Sequence, residues 1–416
     1  MSKRLTKGIS FSLVLILLYI FAIIPANHFN NGSNFLVSSQ HLATPTSLSI
    51  NRSFFGGLFN STHTAQKTTY LGGFPIAVNL LTDGVIIENI TPVSTAYGKA
   101  TPAAQLKVGD FLTELNGQKV TQTGDIENIL SNINTQTAAP PPRQFNTKKD
   151  DYLSQILKNF INDRNNEQAA LTPIGRINAT LYRNGTKKSL ELTPVLEQLS
   201  GKFRLGLVTR DYIMGIGMVS FIREDGSFGA LGHPISDSIA GVVPIRGGQV
   251  FNCEEISILK GERGKAGEFR VKINSMNRPI GVIETNTANG IFGRFNDADA
   301  IRARFHNGNN LNLFEIASRR NVKMGQAQIV TTIGGVTDFY RIEIIRAINQ
   351  SSNTDKGIIF RVVDKRLLDK TGGIIQGMSG SPIIQNGAVV GAVTHVFLSD
   401  PTKGYGLYME FMIEQP

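Results

Sequence analysis

The chain opens with a basic-flanked apolar run. Lys3, Arg4 and Lys7 precede an uncharged stretch of 16 residues, Ile9 to Ile24. A signal-peptide core runs to about 7–15 residues and a bilayer span needs about 20, so this run falls between the two. With positive residues held on the cytoplasmic side, the pattern predicts an export segment over residues 1–26, cleaved or kept as an anchor. Everything after it lies outside the cytoplasm. Residues 27–67 are rich in Asn, Ser, Thr and Gly and keep neither a helical nor an alternating period, so they read as an exposed tether.

From Thr68 the pattern changes to short strands and tight turns. Leu71-Gly-Gly-Phe-Pro-Ile-Ala-Val78 is a glycine-rich turn entering a strand, and Gly84–Ile90 is a second strand. Leu106, Val108, Phe111, Leu112 and Leu115 supply apolar anchors, and the Asn116-Gly117 pair favours a type I′ hairpin. Ile126 and Ile129, three apart, mark a short helix. This stretch resembles a PDZ domain. The resemblance implies that Leu71, Gly72, Gly73 and Phe74 form a loop whose N–H groups receive the carboxylate of a peptide or protein C-terminus. Residues from about 134 to 172 interrupt it with Pro140-Pro-Pro142 and a helix-like stripe of Leu153, Ile156, Leu157, Phe160 and Ile161. Strands around Asn184-Gly185 then close the unit.

Beyond Gly201, runs such as Gly215–Ile222, Ala327–Thr332, Arg341–Arg346 and Gly357–Val363 are spaced as in a sandwich or barrel. One segment carries chemistry. Gly377-Met-Ser-Gly-Ser-Pro382 resembles the Gly-x-Ser-Gly-Gly-Pro loop of trypsin-like proteases. A nucleophilic serine needs a tight turn whose own N–H groups face the developing oxyanion, and glycines allow that turn. Ser379 is thus the candidate nucleophile, with the N–H groups of Gly377 and Ser379 as the oxyanion hole; Ser381 is a weaker candidate. Among six histidines, His233 in Gly229-Ala-Leu-Gly-His233 is the candidate base, because it precedes the serine as in trypsin-like enzymes, whereas His395 follows it.

Composition narrows the alternatives. A single cysteine, Cys253, excludes an intrachain disulfide framework and any Cys-based zinc site. No metal and no cofactor is called for. The net charge of +10 is dispersed and lacks interleaved aromatics, which argues against nucleic acid as a partner.

The motifs at Gly229–His233 and Gly377–Pro382, and Gly391-Ala-Val-Thr-His-Val-Phe-Leu-Ser-Asp-Pro-Thr-Lys-Gly-Tyr-Gly406, closely resemble the stage IV sporulation protein B peptidases. So does the order of export segment, PDZ domain and peptidase. The resemblance implies a triad of His233, Asp364 and Ser379. The aspartate holds the histidine tautomer, although sequence leaves Asp369 and Asp237 open. It also implies self-cleavage and cutting of a membrane-bound regulatory protein, between the forespore and mother-cell membranes, to switch on a sigma factor. The predicted architecture is mainly β with some α: residues 1–26 a signal or anchor helix, 27–67 a tether, 68–199 a PDZ-like domain with its insertion, and 200–416 a barrel-type, trypsin-like serine peptidase domain. The competing reading is a non-catalytic, membrane-tethered scaffold that binds peptides through its PDZ groove.

Overall fold

The computed structural model describes residues 36–37, 68–136, 175–306, 313–348 and 355–415. The export segment, the tether apart from Leu36–Val37, and all but the first residues of the insertion lie outside them. Among the described residues no helix is long and apolar enough to cross a membrane.

The chain folds from long strands joined by tight corners. In order they are β1 Thr68–Leu71, β2 Pro75–Ile90, β3 Phe111–Leu115, α1 Thr123–Gln136, β4 Ile177–Arg183 and β5 Thr186–Leu192. Then come β6 Leu207–Ile222, β7 Ser227–Ala230, β8 Ile245–Leu259, β9 Gly267–Ile273, β10 Gly281–Thr287, β11 Gly290–Phe295 and α2 Ala298–His306. The rest is β12 Gly325–Ile333, β13 Val336–Ala347, β14 Ile358–Val362, α3 Lys365–Thr371, β15 Ile375–Gln376, β16 Pro382–Gln385, β17 Ala388–Val396, β18 Lys403–Tyr408 and α4 Met409–Ile413. Asn116-Gly117, Asn184-Gly185 and Asn386-Gly387 all have positive φ at both positions, the type I′ geometry their sequence favours.

β12, β13, β14, β18, β17 and β16 close into a barrel. A second ring forms upstream. β2 pairs with β6 on one side and with β8 on the other. The path from β8 through β10, β11 and β7 back to β6 completes it. Ile76, Val78 and Leu80 of β2 join Ile213, Phe228, Val250, Ile283, Ile291 and Phe295 in this ring's core. Ala77, on the opposite face of the same strand, packs with Met218, Phe251 and the interior of the closed barrel. Both faces of this part of β2 are therefore buried, which is why Pro75-Ile-Ala-Val78 reads as a continuous apolar run rather than an alternation. The Phe228 and Phe295 rings stack at 4.4 Å, and each such buried side chain contributes roughly 1.5–3 kcal/mol of burial free energy.

The smaller core holds Val85, Ile87, Leu106, Leu112, Leu115, Ile126, Ile129, Leu130, Ile177 and Leu192. Here α1 covers β3, β4 and the C-terminal half of β2. Two expected anchors behave differently. Phe111 turns to the ring core instead, and Val108 is exposed. The sheet also crosses the expected break at residue 199. β2 and β6 each contribute one half to the ring and the other to the small unit, with Leu207 to Arg210 facing Ile90 to Ile86 and Ile213 to Met218 facing Leu80 to Pro75.

The turn Leu71–Phe74 has a different use from the one expected. Gly73 donates its N–H to the Val219 carbonyl at 2.7 Å and Gly72 to that of Ser220 at 3.3 Å. The Gly73 carbonyl accepts from the Thr332 hydroxyl at 2.9 Å. Leu71 and Phe74 are buried. The turn belongs to the barrel ring, so its N–H groups are committed and a peptide carboxylate has no access to them. A side chain on Gly72 would begin 1.9 Å from the Val219 carbonyl oxygen, so the glycine serves close backbone approach.

Candidate active site

The serine loop is pinned between the two barrels. Ser379 accepts the Met218 N–H at its carbonyl (2.7 Å), and Gly380 donates to Val393 on β17 (2.7 Å). Gly377 and Gly380 have φ of 97° and 95°, values that favour glycine. At Gly380 a Cβ would lie 2.0 Å from the Met218 carbonyl oxygen and 2.5 Å from the Leu231 nitrogen. That contact brings the serine loop onto the turn that carries His233.

This second turn is strained. Leu231 has φ of 70°, and the next N–H, of Gly232, bonds back to the Ala230 carbonyl at 2.9 Å. An i to i+2 bond closed over a positive φ is the rare form of γ-turn, and it costs about 1–3 kcal/mol at a non-glycine residue. It is held because Leu231 is buried and its N–H is bonded to Met218. Beyond His233, Asn286 clamps Ile235 reciprocally, accepting its N–H at 2.9 Å and donating to its carbonyl at 2.8 Å. The histidine is thus anchored on both sides.

His233 Nδ1 lies 2.9 Å from the Pro234 carbonyl oxygen. A carbonyl only accepts, so Nδ1 carries the proton and Nε2 keeps its lone pair, the tautomer a general base requires. Burial pushes the imidazole below its usual pKa, while the Pro234 carbonyl and the Asp355 charge pull it back up. The base is therefore neutral at physiological pH.

The Ser379 hydroxyl donates to the Thr394 carbonyl at 2.8 Å. For Ser379 to serve as a nucleophile the hydroxyl would turn from that carbonyl to the imidazole, a tightening common on going from an unliganded to a reacting state. Ser379 is partly exposed, whereas Ser381 is fully buried. Ser381 is thus out of a substrate's reach, as its weaker standing in the motif suggests. Met378, Gly380 and Ser381 spend their N–H groups on Ile375, Val393 and Met378. Those of Gly377 and Ser379 are not among these turn donors.

The carboxylates fall differently from expectation. Asp364 caps α3, accepting the Arg366 N–H at 3.0 Å. It also takes the Arg366 guanidinium (3.0 Å) and the Arg341 N–H (3.2 Å). The Arg366 guanidinium, with the backbone bonds from Arg341 and Arg366, lowers its pKa. None of these bonds goes to an imidazole. Asp237 is buried, holding the Ile239 and Ala240 N–H groups and pairing with Arg210. Asp369 lies exposed on α3.

The carboxylate beside the histidines is Asp355, in the turn before β14. Its Oδ2 is 3.6 Å from His395 Nδ1, and the His395 ring lies 5.1 Å from that of His233, centroid to centroid. Neither residue was among the expected site residues, although His395 lies within the Gly391–Gly406 motif. Asp355 follows a polar Asn/Ser/Thr stretch without a motif, and His395 comes after the serine in the chain. Only the hairpin of β16 and β17 folds His395 back onto Ser379.

Comparison with known proteins follows the same residues. The SpoIVB peptidase S55 family matches residues 201–413. No curated protein matches the chain. The Rv3671c protease from M. tuberculosis, in its active form, is 14% identical over 49% of this chain and 76% of its own, with a TM-score of 0.24. A serine-to-alanine mutant of Rv3671c in its inactive form is 13% identical over 48% and 83%, with a TM-score of 0.23. The family match takes in β6 through α4, both candidate turns included, and spans just over half of the sequence, so the chain belongs to the SpoIVB peptidase S55 family and is a serine peptidase.

Proposed function

We propose that this serine peptidase is an exported, membrane-associated endopeptidase. It cleaves itself and a membrane-bound regulatory protein in a sporulation signalling pathway, activating sigma-factor processing across the forespore membranes. The family assignment and the basic-flanked apolar run Ile9–Ile24 support this reading. The observation that carries its chemistry is the seating of the Ser379–Gly380 backbone on Leu231, two residues before a histidine whose Nε2 is free to accept a proton.

In this reading Ser379 Oγ attacks the scissile carbonyl carbon while His233 Nε2 takes the hydroxyl proton. The oxyanion is met by the Gly377 and Ser379 N–H groups. The carbon–nitrogen bond then breaks, His233 returns the proton to the leaving amine, and water hydrolyses the acyl-enzyme by the same path. Ser379→Ala in the full chain is expected to lower cleavage of the chain itself and of a membrane-bound substrate by at least about a thousandfold. Fragment yield on a denaturing gel measures it, and undiminished cleavage would remove the reading.

A docking role for the small unit has support at a different place from Leu71–Phe74. A cavity of about 250 Å³ lies between α1 and the start of β6, lined by Ile126, Leu130, Leu205, Gly206 and Leu207 among others. Its cation, Arg204, pairs with Glu127 and, at 3.5 Å, with Glu197. A peptide C-terminus entering here meets an apolar floor and a guanidinium, the chemistry of a PDZ-like groove. Arg204→Ala leaves two carboxylates at the mouth. It is expected to weaken binding of a C-terminal peptide at least tenfold by fluorescence anisotropy, while binding of the same peptide as its amide changes little.

A further inference from the structure

Ser379 and His233 are joined at the site by a second imidazole, and its surroundings give it a task. His395 and Thr394 are neighbours on β17. The Thr394 carbonyl receives the Ser379 hydroxyl, and the His395 ring lies against His233 at an interplanar angle of 37°. One dipeptide therefore touches both nucleophile and base. The Thr394 hydroxyl donates to the Asp355 carbonyl at 2.7 Å, which ties the acid-bearing turn to the same strand. His395 Nδ1 is buried and makes no hydrogen bond, yet Asp355 Oδ2 stands 3.6 Å away. A small turn of the ring closes that gap into a charge-assisted bond.

We propose that His395, held from behind by Asp355, is a positioning residue that fixes the His233 ring and brings the Asp355 charge to bear on the imidazolium formed during catalysis. The inference rests on the assignment of Ser379 and His233 made above. It places the supporting carboxylate on the turn before β14, where neither Asp364, Asp369 nor Asp237 sits.

Charge supports the arrangement. Asp355 and Lys356 face the pair from the turn before β14, His395 from β17, and His233 from the turn after β7. When His233 takes the serine proton, Asp355 is the anion whose field favours the resulting cation. Burial, helped by the proximity of His233 and Lys356, pushes His395 down to about 4, against the upward pull of Asp355. His395 is accordingly neutral in the resting site at physiological pH.

The test uses the full chain and a fluorophosphonate probe, following the rate of Ser379 labelling from pH 5 to 8 in wild type, Asp355→Asn and His395→Gln. Both variants are expected to label about ten- to a hundredfold more slowly, the cost of a misplaced base. In Asp355→Asn the acid limb of the profile moves to lower pH, because an imidazolium without its anion forms less readily. Added imidazole is expected to restore part of the rate in His395→Ala. Thermal unfolding of each variant separates a folding defect from a lost role, and a conservative His395→Asn provides a folded substitute. Slower labelling with an unmoved limb and no imidazole rescue would reduce the pair to packing and overturn the proposal alone. Absence of labelling in wild type would overturn the assignment of Ser379, and this proposal with it.

Discussion

At the residue scale the proposed general base is a neutral imidazole. His233 is kept neutral by burial, and its Nδ1 proton is spent on the Pro234 carbonyl. Because burial lowers its pKa from 6.5, the base stays unprotonated into mildly acidic solution. Activity falls as pH drops through the folded-state value, since the protonated ring cannot accept the serine proton. The expected kcat/KM profile therefore has its acid midpoint below about 6.5, the ordinary imidazole value; a midpoint above 7 would mean that a neighbouring charge outweighs burial. Ser379 and His233 stood out as candidates in the sequence because each sits in a glycine-bracketed turn. The glycines answer real contacts, as the 2.0 Å approach at Gly380 shows. His395 lies in the Gly391–Gly406 motif but follows the serine, which counted against it as the base, and Asp355 was not legible, because nothing in its local sequence distinguishes a residue brought to the site by long-range strand pairing.

At the scale of elements, local chemistry was the better guide. The Asn-Gly pairs at 116–117, 184–185 and 386–387 turn hairpins, closing Leu115 on Gln118, Arg183 on Thr186 and Gln385 on Ala388. Helix α3 begins at Asp364, whose side chain accepts the Arg366 N–H, and ends at Gly372 in the left-handed region. This aspartate was expected beside an imidazole, yet its position before Lys365-Arg-Leu-Leu also satisfies the helix N-cap pattern. Asp364→Ala removes both the cap and the Arg366 pairing. The expected loss is about 0.5–2 kcal/mol of stability, read from a chemical denaturation curve; an unchanged midpoint would show the cap to be idle. Since Arg366 lowers the Asp364 pKa, its contribution is present above the unfolded carboxyl value near 3.9 and fades as pH falls through the lower folded value.

For the whole molecule, the decisive element is β2. The family match begins at residue 201, but the ring that carries His233 needs the strand Pro75–Thr82, which lies outside that match and pairs with β6 and β8. A fragment of residues 200–416 would expose the β6 and β8 edges and leave the apolar side chains around Phe228, Val250 and Ile283 without Ile76, Val78 and Leu80. Such open edges aggregate. That fragment is expected to lack a cooperative thermal transition, whereas residues 68–416 show one by circular dichroism. A cooperative transition in the shorter fragment would mean that the ring closes without β2.

The amino-acid sequence by itself determined the strand-rich class and the hairpin corners and marked out Ser379 and His233 as candidates, because each depends on local backbone demands that glycine, asparagine or period-two alternation record. Only the tertiary structure decided that β2 belongs to the peptidase ring, that Gly72 and Gly73 spend their N–H groups on β6, and that Asp355 and His395 stand behind His233. Those outcomes depend on which distant strands pair, and a strand buried on both faces leaves no pattern that names its partner.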